Sequence, residues 1–188
     1  MKLSGSYQIN LEKQKVWEAL NNPEILKKSI PGCEEFVKKS ETEFSATVTN
    51  KIGPFNATFT GDIELKDLDP PNSYKIIGSG NSPVGFANGE ASVTLEDFED
   101  GTNLKYSVEA NVGGKIAQVG SRLIDMTAKK MADIFFGKFV ELITTKTTTE
   151  KVKKVNEDKI QSQKEPINKI FIVLPALIII GIILYYLN

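Results

Sequence analysis

Residues 55–65, FNATFTGDIEL, alternate with a period of two, with Phe55, Ala57, Phe59, Gly61, Ile63 and Leu65 on one side and Asn56, Thr58, Thr60, Asp62 and Glu64 on the other. Successive side chains of a strand point to opposite faces, so this run specifies a sheet with one apolar and one wet face. Water does not tolerate the apolar face uncovered, and some other part of the chain must pack on it. Residues 115–143 supply the cover. Ile116, Val119, Leu123, Ile124, Met131, Phe135, Phe139 and Leu142 recur there at helical separations and form a broad apolar side. An antiparallel sheet packed on one long amphipathic helix, an α+β fold, satisfies both elements.

The remaining elements fit around that pair. Leu3–Ile9 alternates as a strand, and Asn10 is placed to cap a helix carrying Val16, Ala19 and Leu20 on one side. Pro23 opens a second short helix, and Pro31-Gly32 ends it. Strand-like runs follow at Glu35–Lys39, Glu43–Lys51, Phe55–Leu68, Tyr74–Gly80, Gly85–Phe98 and Asn103–Val112, joined by segments rich in Gly, Pro, Asn and Asp. About seven strands, two short helices after the first of them, and a final long helix are expected.

The apolar face becomes small toward one end. In GFANGEASVTL the inward series is Gly85, Ala87, Gly89, Ala91, Val93 and Leu95, and Gly61, Gly78 and Gly80 lie on neighbouring strands. Small residues opposite a helix mean either close backbone approach or empty space. If these glycines bend the sheet, it wraps the helix and deepens a concave apolar wall of the kind that ligand sites use.

Composition removes most catalytic chemistry. The 188 residues contain no histidine, a single cysteine (Cys33) and a formal charge of −1. Ser-His-Asp triads and Cys/His zinc sites are therefore excluded, and no basic field argues for nucleic acid. The stretch VGGKIAQVGSRLI, residues 112–124, suggests a phosphate loop but fails the spacing. Glu109 stands where the first glycine is needed, and Ile116 follows Lys115 in place of Ser or Thr. Asp125, Asp133 and Glu141, spaced by eight, read as a solvated flank of the last helix. Cys33 reads as a small hydrophobe beside a helix stop, and Trp17 as structural. Phe135 and Phe136, about 100° apart on a helix, are expected to split, one packing inward and the other facing a partner or membrane.

The C-terminus differs in character. Residues 144–169 are polar and read as a linker or, alternatively, a partly helical stalk, and residues 170–187 carry no charge. Eighteen helical residues span about 27 Å, near the hydrocarbon thickness of a bilayer. The lysines before this segment orient it by the positive-inside rule, and the N-terminus has no signal-peptide pattern. A single-pass, tail-anchored protein at the cell membrane, with domain 1–143 in the cytoplasm, is the expectation.

Several stretches together resemble the family of the G subunit of carbon monoxide dehydrogenase, a branch of the START-like, helix-grip (SRPBCC) superfamily. They are SGSYQI, VWEALNNPEILKKSIPGCE, KIGPFNATFTGDI, DLDPPNSY, GFANGEA and LKYSVEANVGGKIAQVGSRLID, followed by Phe135-Phe136. The resemblance implies a curved sheet gripping the C-terminal helix around a hydrophobic cavity, and an accessory, non-catalytic role beside molybdenum-containing carbon monoxide dehydrogenases and related hydroxylases. It further implies membrane attachment of that enzyme and carriage of an isoprenoid quinone, with ligand-independent recruitment or assembly, or general lipid carriage, as alternatives. A cyclase-like activity known among superfamily relatives is disfavoured by the lack of an acid/base constellation. Cavity walls are expected from Phe59, Gly78, Ala87, Gly89, Ala91, Tyr106 and Val108 on the sheet and from Gly120, Leu123, Ile124 and Met131 on the helix. Lys115 and Arg122 are candidates for a polar rim, or else simply face solvent.

Overall fold

The computed structural model describes residues 1–160. In chain order these form β1 (Lys2–Ile9), α1 (Lys13–Leu20), α2 (Pro23–Ser29), β2 (Cys33–Lys38), β3 (Glu43–Ile52), β4 (Phe55–Asp69), β5 (Ser73–Ser82), β6 (Gly85–Phe98), β7 (Gly101–Gly113), a 3-10 turn (Lys115–Val119) and α3 (Ser121–Ile160). The helix α1 starts two residues later than an Asn10 cap would allow, with Glu12 at the cap and no side-chain hydrogen bond there. The second short helix is capped as its sequence dictates. Asn22 Oδ1 accepts from the backbone N–H of Glu24 at 3.0 Å and of Ile25 at 3.2 Å, ahead of Pro23 in the first turn.

All seven strands join one antiparallel sheet in the order β1-β7-β6-β5-β4-β3-β2. Its register stacks the inward residues into cross-strand rows. Ala46, Gly61, Gly80, Ala87 and Val112 form the first, and Phe44, Ile63, Gly78, Gly89 and Ala110 the second. Leu65, Ile76, Ala91, Val108 and Leu3 form the third, followed by Tyr74, Val93, Tyr106 and Gly5, then by Leu95, Leu104 and Tyr7. Side-chain bulk rises from the β3–β4 and β5–β6 hairpins toward the opposite end. Burial rises with it: Leu65, Tyr74, Val93, Leu95 and Leu104 are buried, while Gly61, Gly78, Gly80, Ala87 and Gly89 are half-exposed.

The core sits at the bulky end. Val16, Trp17, Ala19 and Leu20 of α1 and Phe136, Phe139 and Ile143 of α3 join Ile9, Leu95 and Leu104 in one cluster, and Trp17 meets the Tyr74 ring edge-on at 5.3 Å. At about 1.5–3 kcal/mol for each large side chain buried, this cluster is the chief source of stability. Trp17 is structural, as its place on an amphipathic helix suggested.

Two expectations are corrected. The sheet does not wrap or close around the helix: its order is linear, and β1 and β2 remain unpaired edges. Gly61 and Gly89 serve close strand approach, since a Cβ on either would collide with a neighbouring backbone, with Ser79 O and Glu109 O respectively. The transmembrane part of the expected fold is corrected as well. No helix among the described residues is long and apolar enough to cross a membrane, and residues 170–187 lie outside the described residues. Nothing described supports the single-pass anchor or the membrane location drawn from it.

The last helix also differs at both ends from the span 115–143. Its first residues form the separate 3-10 turn, and α3 itself continues to Ile160 through much of the segment read as a linker. Gly120 joins turn and helix at φ +89°, and a Cβ added there would meet nothing within 4 Å. Its glycine is required by backbone conformation and not by a tight contact. Gly120→Ala is accordingly expected to destabilise the fold by about 1–2 kcal/mol, whereas Gly137→Ala, exposed within α3 and free of neighbours, should stabilise it by up to about 1 kcal/mol. Chemical denaturation of the two variants checks the pair.

Candidate functional site

Between the inner sheet face, α2 and residues 128–136 of α3 lies an apolar cavity of about 470 Å³. Its floor is Ile63, Leu65, Ile76, Ala91, Val93, Tyr106 and Val108. Leu26 and Ile30 close one side, Phe36 and Phe44 another, and Ala128, Met131, Ala132, Phe135 and Phe136 form the roof. The volume falls within the range of small-molecule sites. The roof follows from helical spacing: residues 128, 131, 132, 135 and 136 repeat at three and four and so share one face.

An open apolar trough of about 340 Å³ adjoins this cavity and shares Ile63, Ile76, Ala91 and Val108 with it. The trough lies over the small rows, on Ala46, Phe59, Gly61, Gly78, Gly80, Ala87 and Gly89, and no residue of α3 lines it. Empty space over the sheet is literal at Gly78, where a Cβ would meet nothing within 4 Å, and nearly so at Gly80, whose nearest neighbour would be Phe59 at 3.9 Å.

The residues expected at the site divide accordingly. Tyr106 and Met131 line the roofed cavity, Phe59, Gly78, Ala87 and Gly89 the trough, and Ala91 and Val108 both. The start of the helix is not part of either. Leu123 packs near the β3–β4 hairpin, where a Cβ on Gly53 would lie 3.1 Å from its Cδ2, and Ile124 is half-buried outside both linings. Gly120, Lys115 and Arg122 are exposed and contact neither space. Phe135 and Phe136 do not split: both line the cavity, and Phe135 also stacks on Phe139 at 5.8 Å.

A polar contact not apparent from the sequence lies at the β1 side of the roof. Tyr7 Oη donates to Asp133 Oδ1 at 2.7 Å, and the Tyr7 ring stacks on Phe136 at 4.2 Å and on Tyr106 at 6.2 Å. Asp133 is thus a tether between α3 and the sheet edge and not merely a solvated flank. No signal in the sequence pairs residues 126 positions apart. Burial, then the Asp133 carboxylate, push the Tyr7 phenol well above the ordinary tyrosine range, and burial first pushes Tyr106 up too. Tyr74, enclosed in the core, is raised by burial alone.

Little here can perform chemistry. Cys33 is half-buried, its Sγ donates to Glu35 O at 3.3 Å, and burial pushes its thiol up, which disfavours the reactive thiolate. No group of His, Cys, Asp and Glu among the described residues could hold a metal ion. The arrangement can enclose an apolar molecule and exclude water from it.

The raised phenols set an alkaline limit. Each of these groups is neutral in the fold and ionises more readily when unfolded, so its contribution is intact below the unfolded value of about 10 and is lost as pH climbs above it. Stability should therefore decline above about pH 10, less steeply in Tyr7→Phe. In a spectroscopic titration, Tyr7, Tyr74 and Tyr106 should ionise only at that alkaline transition; early ionisation of all five tyrosines of the chain would contradict the packing.

The same architecture recurs in known proteins. A conserved protein from Geobacillus kaustophilus is 32% identical, aligned over 77% of this chain and 96% of its own, with a TM-score of 0.73. A Mycobacterium smegmatis protein at 16% identity (77% and 92% covered, TM-score 0.59) and the Zhui aromatase/cyclase of a Streptomyces species at 11% (78% and 95%, TM-score 0.55) share the fold. No curated protein matches the chain. The family model described as CoxG, the G subunit of carbon monoxide dehydrogenase, matches residues 5–144, which hold β2 to β7, most of β1 and all of the cavity lining except Met1 and Leu3. The chain belongs to this CoxG family, within the helix-grip superfamily.

Proposed function

We propose that the protein is a carrier of an elongated, water-insoluble ligand and that it serves a carbon monoxide dehydrogenase-type enzyme. The observation that carries this reading is the apolar cavity and the open trough that adjoins it across Ile63, Ile76, Ala91 and Val108, on a scaffold with no catalytic constellation among the described residues. Family membership supports the functional link to carbon monoxide dehydrogenase systems, and a molybdenum hydroxylase is the partner proposed. The attachment of such an enzyme through a C-terminal anchor has no support among the described residues and is not part of the proposal.

The energetics favour a chain-like ligand over a compact polar one. Each CH2 moved from water into the cavity contributes about 0.8 kcal/mol. A buried polar group would find few partners on these walls, whose hydroxyls are those of Tyr74 and Tyr106, and left unpaired would cost about 1–3 kcal/mol. An isoprenoid quinone suits both requirements, with its prenyl chain under the α3 roof and its ring toward the open trough.

Solvent extraction of the full chain, followed by mass spectrometry, tests this against Ala91→Phe purified identically. Ala91 borders both spaces, so a phenyl ring there obstructs the whole site. The native chain should yield about one prenyl-chain molecule per protein, and the folded variant less by about tenfold or more. Equal yields, or none from either, would count against a carrier, and a fatty acid or phospholipid in place of a prenyl compound would remove the quinone.

A further inference from the structure

Three segments converge at the open end of the trough, and their charge is unusual for this chain. Residues 50–61, 76–89 and 110–124 contain no Asp or Glu, although the chain has 24 of them. The charged residues they do contain are Lys51, Lys115 and Arg122, all exposed, and none forms an ion pair among the described residues. At the opposite end the β6–β7 hairpin carries Glu96, Asp97, Glu99 and Asp100, of which Glu96 pairs with Lys105 at 2.7 Å and Asp97 with Lys13 at 2.9 Å, while Glu99 and Asp100 form no ion pair among the described residues. The hairpin tip at Glu99 and Asp100 and the end bearing Lys51, Lys115 and Arg122 therefore differ in the sign of their unpaired charge.

The three segments form one built surface. Ile116 N–H donates to Val84 O at 2.9 Å, which ties the 3-10 turn to the β5–β6 hairpin. A Cβ on Gly53 would lie within 3.1 Å of Leu123 and 3.3 Å of Val119, which seats the β3–β4 hairpin against the same turn. Pro54 and Pro83 are exposed at the two tips, with Ile52, Phe55, Val84 and Val119 half-exposed behind them. Asp62, Glu90 and Asp125 lie just beyond these segments, the first two along the trough, but the tips themselves combine apolar residues with flanking cations, which is what an anionic lipid surface selects.

We infer that this end of the domain docks transiently on an anionic lipid surface, with the trough facing it as the portal of the cavity. The inference rests on the carrier reading above, because a water-insoluble ligand leaves an apolar trough most readily into another apolar phase. Charge complementarity fixes the orientation: the acidic β6–β7 end is repelled by the surface that attracts Lys51, Lys115 and Arg122. The contact is peripheral and needs no spanning segment.

The test reads which end meets lipid. In the full chain with Cys33→Ser, an environment-sensitive fluorophore is placed on Pro83→Cys or, as a control at the acidic end, on Asp100→Cys. Phosphatidylcholine vesicles carrying nitroxide lipids are then added with or without phosphatidylglycerol. The label at position 83 should be quenched with phosphatidylglycerol present, far more than the label at 100. Replacing Lys51, Lys115 and Arg122 by Gln together should raise the lipid concentration required by roughly a hundredfold, at about a factor of five for each cation. Equal quenching at both ends, quenching unchanged by the three substitutions, or a response to polyglutamate but not to vesicles would overturn the inference, the last in favour of an acidic protein partner. Binding of cis-parinaric acid in vesicle-free buffer separates the two readings. Parinarate binding without docking overturns the lipid-facing surface alone; docking without parinarate binding supports the surface and overturns the carrier.

Discussion

An apolar sheet face must be covered, and in this chain the cover reaches only part of it. Helix α3 packs over the bulky rows, where Leu104 and Phe139 are fully buried, and leaves the rows of Gly61, Gly78, Gly80, Ala87 and Gly89 half-exposed. The cavity and trough are the consequence of that mismatch. Close packing at one end provides the stability that lets the other end remain unfilled.

The gradient in side-chain size does two things at once. Large residues at one end anchor α1 and α3 through the cluster around Trp17, Tyr74 and Phe136. Small residues at the other remove volume without unpairing any backbone, because the hydrogen-bonded register continues through Gly61, Gly80 and Ala87. The Tyr7–Asp133 hydrogen bond holds the roof beside the cavity. Since the walls are almost wholly apolar, with only the Tyr74 and Tyr106 hydroxyls among them, selectivity comes from length and shape more than from hydrogen bonding.

Much of the fold was legible: period-two alternation marks β1, β4 and β6 and names the inward face of the last two, turn residues bound the other strand-like runs, and proline and helical spacing mark the two short helices. The sheet's openness was not legible. Glycines in a strand serve either bending or close approach, and only register shows that Gly61 and Gly89 sit against neighbouring backbone while Gly78 faces empty space. The same ambiguity misplaced Gly120, whose positive φ belongs to a turn and not to a helix interior. Sheet residues of the site such as Ala91 and Val108 could be named from alternation. Roof and side walls were harder, because Leu26, Phe36 and Ala128 reach the cavity only through the way α2, β2 and α3 pack. Residues 112–124, which first suggest phosphate binding, instead join the last strand to the roof helix and place Lys115 and Arg122 on the outside.

The central claim is that the space over Gly78 belongs to a ligand. Titration of the delipidated full chain and of Gly78→Val with cis-parinaric acid tests it most directly, since a valine there projects into open space and a β-branched residue favours a strand. The account predicts a variant at least as stable as the native chain that binds parinarate about tenfold or more weakly. Undiminished binding by a stable Gly78→Val would contradict it.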